Sequence, residues 1–280
     1  MYVLMSPCIP DPGLRAEGIT TGEDRFFFDQ ARKRCEKFGI DIVTLPCPET
    51  LFLGKERKPG TFLERLDSDD FRDILTGLEE RVRSIIEERG PPLCIVGVNS
   101  SPTCGATSTY YGSTDGSSPK KSGRGVFLAK FPELPIANVK EFARYRVYLA
   151  APLFSEAEKA FNIKIRDILK DHFFDVYLPQ EVGDDTNCRS KSEHEEIFRM
   201  HREALDQVDL LVAVIDGADA DSGTAWEMGY ATHRGIPVYA IRTDFRMAGH
   251  HELVNLMLEQ SSVIIRDIRN LPVILRSPGL

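Results

Sequence analysis

Acidic side chains are concentrated between Asp209 and Tyr230, in the segment DLLVAVIDGADADSGTAWEMGY. The pattern predicts a buried strand, DLLVAVID, followed by a turn and by a helix that begins near Thr224. Glu227 would lie in about the first turn of that helix, where exposed N–H groups and the helix dipole favour an ionised carboxylate. An ionised carboxylate at the edge of a sheet can act as a nucleophile at neutral pH. The segment therefore predicts chemistry at Glu227.

Substitution at an anomeric carbon needs a nucleophile and a second group that handles the proton of the leaving base. Asp209 and Asp221 are the candidates for that second group. A simpler interpretation is that Glu227 caps its helix, that Asp209 and Asp216 close a strand, and that DADADSG is a solvated acidic loop. Trp226, which precedes Glu227, either lines a pocket or packs in the core, and we expect the core. Residue types alone leave these alternatives open.

Other segments extend the pattern, namely YLAAPLF at 148–154, YLPQE at 177–181, GIPVYAIRTDFR after the helix, and the late VNLML. Together with DLLVAVIDGADADSGTAWEMGYA, they resemble the nucleoside 2-deoxyribosyltransferases over nearly all of residues 145–280. The resemblance implies that Glu227 is a nucleophile that forms a covalent deoxyribosyl–enzyme intermediate. It implies no cofactor for this half of the chain.

The same resemblance implies roles for further residues. Tyr148 would orient the nucleophile, while Asp209 and Asp221 would hold the base or the sugar and assist protonation. The implied substrate-binding residues are Gln180, Gly223 and Asn255. Asn255 would reach a site in a neighbouring subunit, because the family assembles into symmetric oligomers with shared sites. A homo-oligomer is therefore implied.

Three cysteines follow predicted strands and lie beside proline or glycine: Cys8 in SPCIPDP, Cys47 in LPCPET and Cys104 in NSSPTCG. Because residues that follow parallel strands meet at one edge of a sheet, the three thiolates could converge. Three thiolates leave one coordination position open, which suits an iron–sulfur cluster that binds substrate or sulfide. The alternative is that they are small buried hydrophobic side chains. The cysteines without an assigned role are Cys35, Cys94 and Cys188.

The segments around these cysteines also resemble the DUF523 family, which includes thiouracil desulfidases, over roughly residues 1–130. That resemblance implies a [4Fe-4S] cluster with Cys8, Cys47 and Cys104 as its ligands. Glu49 and Ser101 would then transfer protons beside the cluster.

The elements that must position these residues alternate along the first half of the chain. Apolar runs and amphipathic stretches predict strands at 2–5, 40–45 and 93–98 and helices near 26–38 and 71–86. A long polar loop covers 99–125, and a further strand is predicted for 126–130. The segment FPELPIANVKEFARY contains two prolines and is expected to be a linker, with the domain boundary near Glu141.

The second half repeats the alternation. Strands are predicted in RVYLAAPLF, DVYLP, DLLVAVID and IPVYAIR, with a closing helix near 253–259. Capping-box spacing predicts that helices begin after the pairs Ser155 with Glu158 and Ser192 with Glu195. The whole chain is therefore predicted to form two Rossmann-like (flavodoxin-like) α/β domains, residues 1–140 and 141–280, each with a mostly parallel sheet and helices on both faces.

Charge and hydropathy limit the partners. The chain has 35 basic and 43 acidic side chains, a net charge of -8, which disfavours nucleic-acid binding. No apolar run approaches the roughly 18 residues of a membrane span. Six cysteines are too few for a disulfide scaffold, so we expect a cytoplasmic protein. The expected partner is a small nucleoside or nucleobase.

The leading hypothesis is an enzyme that cleaves the N-glycosidic bond of a nucleoside or deoxynucleoside and passes the sugar to another base or to water. One alternative is a desulfidase for thiolated bases or nucleosides, in which the C-terminal half only binds the nucleoside. Others are a deoxynucleotide N-glycoside hydrolase and a nucleotide-sensing module without turnover. Transfer and hydrolysis differ in whether water reaches the intermediate, which depends on closure of the pocket.

Overall fold

A computed structural model describes residues 1–113, 118–182, 190–247, 249 and 252–276 of the chain. The chain divides into two compact units, Met1–Ala143 and Arg144–Leu275. Each unit contains a parallel sheet flanked by helices, so the predicted α/β class is confirmed. Within the ranges described, every helix is too short or too polar to span a lipid bilayer.

The first unit is built on the strands β1 (Tyr2–Met5), β2 (Asp41–Thr44), β3 (Ile95–Gly97) and β6 (Ile136–Asn138), with a hairpin of β4 (Ser108–Tyr110) and β5 (Lys120–Ser122). Its helices are α1 (Gly22–Lys37), α2 (Pro48–Leu53), α3 (Phe62–Arg65), α4 (Asp69–Arg89) and α5 (Val139–Phe142). The parallel sheet has the order β2-β1-β3-β6. Strands β1 and β3 are buried throughout, because their apolar side chains face covered surfaces on both sides of the sheet.

The predicted strand over 126–130 is wrong. The segment that was expected to be a linker contains β6 and α5, and the chain divides within it, after Ala143. Residues Leu128–Lys130 form a 3-10 turn, with Phe127 and Leu128 in the hydrophobic core. The fourth strand of the sheet is β6, which lies inside the proline-containing segment and pairs with β3. Pro135 stands directly before β6 and its carbonyl accepts from the Ile95 N–H, so the proline costs the sheet no donor.

The second unit contains the strands β7 (Arg146–Ala150), β8 (Asp175–Tyr177), β9 (Leu210–Val214), β10 (Val238–Ile241) and β11 (Val263–Ile265). Its helices are α6 (Glu156–Asp171), α7 (Lys191–Gln207), α8 (Ser222–His233), α9 (Leu256–Gln260) and α10 (Leu271–Arg276). All of its strand pairs are parallel, in the order β11-β10-β9-β7-β8. Strands β7 and β9 therefore lie side by side at the centre of the sheet.

The helix starts follow capping boxes, though not always the expected one. Ser155 and Glu158 cap α6 as predicted. Helix α7 begins two residues earlier than predicted, because Ser190 and Glu193 form the capping box instead of Ser192 and Glu195. The two pairs are overlapping copies of one spacing, and the helix uses the first.

The predicted closing helix is not the last element of the described chain. Beyond α9, strand β11 pairs with β10 at the edge of the sheet, and α10 follows it. Strand β11 has only three residues, Val263–Ile265, of which Val263 is exposed. So short a run carries almost no periodicity in the sequence.

Candidate active site

Glu227 lies on α8, in the second turn rather than the first, because Ser222 is the first residue of that helix. Asp221 is the N-cap, and its Oδ2 accepts from the N–H of Thr224 at 2.9 Å. The interpretation of Glu227 as a helix cap is therefore wrong. Its half-buried side chain is available for another role.

Tyr148 fixes the Glu227 carboxylate from the neighbouring strand. Its ring is fully buried in β7, and its hydroxyl donates to Glu227 Oε1 at 2.5 Å. Burial, followed by the charge of Glu227, raises the pKa of Tyr148, so the hydroxyl keeps its proton as a donor. The structure thus brings together two of the residues predicted for the site.

Burial is the largest influence on Glu227 and raises its pKa to about 7. The hydrogen bond from Tyr148 lowers that pKa, and the charge of Asp221 raises it further. The helix N-terminus was expected to favour the ionised carboxylate, but burial raises its pKa instead, because Glu227 lies beyond the first turn, where the dipole acts most strongly.

Asp221 and Gly223 lie together at the start of α8. A Cβ atom built on Gly223 would stand 3.1 Å from Asp221 Oδ2, so glycine leaves room beside that carboxylate. Asp221 combines two roles, because it caps the helix and places a negative charge close enough to shift the pKa of Glu227.

Asp209 is placed elsewhere, which corrects its predicted role. It stands directly before β9, at the amino end of the parallel sheet, whereas the connection to α8 leaves from the carboxyl end. Its carboxylate pairs with Arg146 at 2.6 Å and accepts from the backbone N–H groups of Tyr145 and Arg146. These bonds tie β9 to β7 and give Asp209 a structural role.

The part of the chain that carries this geometry matches a known family. The family model described as nucleoside 2-deoxyribosyltransferase matches residues 147–262, which include Tyr148, Asp221 and Glu227. Because of this similarity, we call residues 147–262 the deoxyribosyltransferase-like domain. The family is a class of glycosyl-transferring enzymes that act on nucleosides.

Solved structures similar to the chain cover about half of it. A conserved protein from Enterococcus faecalis V583 is 27% identical, with a TM-score of 0.43, covering 48% of this chain and 99% of that one. A 2-deoxyribosyltransferase from Bacillus psychrosaccharolyticus is 25% identical, with a TM-score of 0.40, covering 45% and 90%. A 2-desoxiribosyltransferase from Leishmania mexicana is 18% identical, with a TM-score of 0.40, covering 49% and 99%.

No curated protein matches the chain. None of the comparisons supports the resemblance of residues 1–130 to DUF523.

Two more predicted residues of the deoxyribosyltransferase-like domain have partners within the described chain. Gln180 follows β8, and its Oε1 accepts from Asn162 at 2.9 Å while its Nε2 donates to the Lys159 carbonyl. Asn255 is exposed and caps α9 by accepting from the Met257 N–H. The contact of Asn255 with a neighbouring subunit stays a prediction.

Tyr177 and His201 of this domain were not predicted. Tyr177 lies opposite Tyr148 in the register of β7 and β8, and the two rings stack with centroids 5.2 Å apart. Its hydroxyl lies 2.9 Å from Nδ1 of His201 on α7. A signal was present in the sequence, because the tripeptide Val-Tyr-Leu occurs at 147–149 and again at 176–178.

Trp226 is not a core residue, contrary to expectation. Its side chain is 47% exposed and lies between Phe198 on α7 and Tyr230 on α8. Consecutive residues of a helix point in different directions, so Trp226 faces outward while Glu227 faces Tyr148.

In the first unit, Cys8, Cys47 and Cys104 line one cavity of about 580 Å³ together with Glu49 and Ser101. Within the described residues, no group of three or more His, Cys, Asp or Glu side chains is arranged to hold a metal ion. Burial is the main cause that raises the pKa of Cys8 to about 12, and burial likewise raises the pKa of Cys104. Cys35 and Cys94 are buried outside the cavity lining, and Cys188 lies outside the described residues.

Glu49 is the centre of a hydrogen-bond network in this cavity. Its Oε1 accepts from the hydroxyls of Ser101 at 3.1 Å and Thr103 at 2.8 Å, and its Oε2 pairs with Arg57 at 3.3 Å. Ser101 Oγ also accepts from the backbone N–H groups of Thr103 and Cys104. These bonds connect Glu49 to the turn that carries Cys104.

Proposed function

We propose that the deoxyribosyltransferase-like domain cleaves the N-glycosidic bond of a nucleoside or deoxynucleoside through a covalent intermediate between the sugar and Glu227. The observation that carries this proposal is the half-buried Glu227 carboxylate held by the Tyr148 hydroxyl. The family match over residues 147–262 supports it. The expected partner is a small nucleoside or nucleobase.

In the first half of the reaction, a Glu227 oxygen attacks C1′ of the sugar, and the base leaves with the electron pair of the broken C1′–N bond. Tyr148 orients the attacking carboxylate. Asp221, beside the start of α8, would contact the sugar or base, with Gly223 leaving space for it. In the second half, another base or a water molecule attacks C1′ and releases Glu227.

The test is mass spectrometry of the full chain after incubation with 2′-deoxyinosine. The wild-type protein and Glu203→Gln, which changes an exposed glutamate on α7, should both carry a deoxyribosyl adduct that maps to Glu227. Glu227→Gln should carry none, and it should not exchange hypoxanthine for adenine. An adduct on Glu227→Gln would contradict the proposal, as would wild-type protein that binds deoxyinosine without adduct, exchange or hydrolysis.

A second candidate function concerns the cavity of the first unit, because three cysteines line it together with Glu49 and Ser101. The donor set suits an iron–sulfur cluster, since its three thiols would leave one iron with an open coordination position. Cys8, Cys47 and Cys104 would hold a [4Fe-4S] cluster, which when bound would accept sulfur as sulfide from a thiolated base, while a water molecule supplies the oxygen that replaces it on the base.

In that function Glu49 and Ser101 would move protons to and from the base. Ser101 already donates to Glu49 and accepts from two backbone N–H groups, so a proton would pass along an existing hydrogen bond.

Anaerobic purification tests the cluster. We expect a brown protein with about four iron and four sulfide per chain, lost in Cys47→Ser but kept in Cys35→Ala, which removes a thiol outside the cavity lining. Colourless protein without iron after anaerobic reconstitution would remove this function.

A further inference from the structure

The placement of Asp209 removes one of the two proton donors that the sequence predicted for the leaving base, since that carboxylate is bonded at the amino end of the sheet. Resting on the transferase function proposed above, we infer that Tyr177, supported by His201, gives the leaving base its proton. Tyr177 is the catalytic residue of this pair, and His201 is a positioning residue that acts through it.

The strand register places Tyr177 beside the nucleophile. Tyr148 and Tyr177 are direct partners in the parallel pairing of β7 with β8, so their side chains leave the sheet on the same face. Their rings are nearly parallel, with an angle of 22° between the planes. Both rings pack in the hydrophobic cluster that contains Met228 of α8. The two hydroxyls therefore lie on the same side of the sheet, where that of Tyr148 contacts Glu227 and that of Tyr177 contacts His201.

The electrostatics agree with this placement. After burial, the charge of Glu227 is the second cause that raises the pKa of Tyr177. Tyr177 therefore lies within electrostatic reach of the nucleophile and keeps its proton at neutral pH. A hydroxyl that holds its proton beside a departing base is suited to donate it.

His201 gives Tyr177 a proton source. Its Nδ1 lies 2.9 Å from the Tyr177 hydroxyl, and its ring meets the Tyr177 ring edge-on at 78°. These two contacts fix both the position and the rotation of the hydroxyl. An isolated phenol is too weak an acid to protonate most bases by itself, but a phenol that receives a proton from imidazolium as it donates bears no charge afterward.

Two other polar side chains near Glu227 are already engaged in hydrogen bonds. The Tyr148 hydroxyl donates to Glu227, and Asp221 accepts from both the N–H and the hydroxyl of Thr224. The Asp221 carboxylate is therefore already engaged as a hydrogen-bond acceptor at the start of α8.

The proton and electron balance closes over one complete transfer. When the C1′–N bond breaks, its electron pair stays on the base and a Glu227 oxygen bonds to C1′. The base takes the Tyr177 proton, and the protonated His201 ring returns a proton to the Tyr177 oxygen through Nδ1. When the second base attacks C1′ and releases Glu227, it loses its proton to Tyr177, and Tyr177 passes one back to His201.

The experiment compares two substrates that differ in their need for an acid. One is 2′-deoxyinosine exchanging with adenine, and the other is 4-nitrophenyl 2-deoxyriboside, whose nitrophenolate leaves without a proton. Tyr177→Phe should lower kcat/KM for base exchange by about 10²- to 10⁴-fold, while nitrophenolate release stays within about threefold of wild type. His201→Asn, which keeps an acceptor near the Nδ1 position, should show the same selectivity with a smaller loss.

The matched control is Tyr230→Phe. It removes a tyrosine hydroxyl that also bonds to α7, at Asp206 and 2.8 Å, and neither reaction should change.

Equal losses on both substrates would overturn the inference, because a merely structural role does not depend on the leaving group. Unchanged base exchange in both variants would overturn it as well. If Tyr177→Phe does not fold, His201→Asn provides the same comparison. Wild-type protein that forms no sugar adduct and releases no nitrophenolate would instead refute the transferase function, so the two failures are distinguishable.

Discussion

At the scale of a single side chain, opposing influences set the pKa of Glu227. Burial raises its pKa, the Tyr148 hydroxyl lowers it, and the charge of Asp221 raises it again. The resulting value of about 7 leaves the carboxylate ionised in part of the molecules at neutral pH. Because only the ionised form attacks C1′, pH should control the rate of the proposed reaction.

We expect kcat/KM for nitrophenolate release from 4-nitrophenyl 2-deoxyriboside, which needs no acid, to rise as the pH passes through about 7 and to level off at higher pH. Tyr148→Phe should move the midpoint to higher pH, because it removes the hydrogen bond that stabilises the ionised carboxylate. The measurement is the pH–rate profile of both proteins with 4-nitrophenyl 2-deoxyriboside.

Asp221→Asn provides the opposing control. Asparagine still caps a helix but carries no charge, so the midpoint should move to lower pH. A profile that is flat between pH 5 and about 9, or shifts of the same sign in both variants, would contradict the assignment of Glu227 as the titrating nucleophile.

The same burial predicts an effect on stability. A folded-state pKa above the unfolded value of 4.5 stabilises the protein below about pH 4.5, and that stabilisation is lost as the pH rises through about 7. The difference corresponds to at most about 3 kcal/mol. Glu227→Gln, which stays neutral, should therefore have a higher free energy of unfolding than wild type at pH 8 and little advantage at pH 5.

Urea unfolding at both pH values measures this difference. The exposed substitution Glu203→Gln should show no such pH dependence. A loss of stability in Glu227→Gln at pH 8 would mean that the ionised carboxylate is stabilised by its surroundings.

At the scale of secondary-structure elements, Asp209 links the amino ends of β7 and β9 through its bonds to Tyr145 and Arg146. Asp209→Asn weakens the pairing with Arg146, so we expect the free energy of unfolding to fall by about 1 to 3 kcal/mol. The kcat/KM of the folded protein should stay within about twofold of wild type. Thermal unfolding and base-exchange rates check the two parts, and a large loss of activity in fully folded Asp209→Asn would restore its catalytic role.

The elements also show what the sequence could predict. The runs YVLM and LLVAV are apolar throughout, as strands covered on both faces must be, and both are strands at the predicted places. Phe127 and Leu128 are equally apolar, yet they form a turn because the core requires their side chains and the sheet edge is filled by β6. A short apolar run does not by itself specify whether it forms a strand or a turn.

The candidate site was also predictable only in part. Glu227 and Asp221 stand out because they lie in one segment that is rich in acidic residues and resembles a known family. The separation of Asp209 from them was readable in the sequence, because Asp209 begins the predicted strand DLLVAVID whereas Asp221 and Glu227 follow that strand. The pairing of Tyr148 with Tyr177 required the register between β7 and β8, which neither strand specifies alone.

For the whole molecule, each candidate site draws its residues from a single compact unit. We therefore expect Cys47→Ser and Glu49→Gln to leave kcat/KM for base exchange within about twofold of wild type. Steady-state base-exchange assays on these variants check it, with Tyr148→Phe as the positive control. A drop of about tenfold or more in either variant would show that the two units depend on each other.

The single tryptophan of the chain, Trp226, is half-exposed and adjacent to the proposed nucleophile along the backbone. Indole emission responds to changes in polarity and in stacked neighbours, and here the neighbours are Phe198 and Tyr230. Fluorescence excited near the red edge of the indole band would therefore report from one known position. The molecule thus contains its own optical probe for following, without any label, the arrival of a sugar at α8.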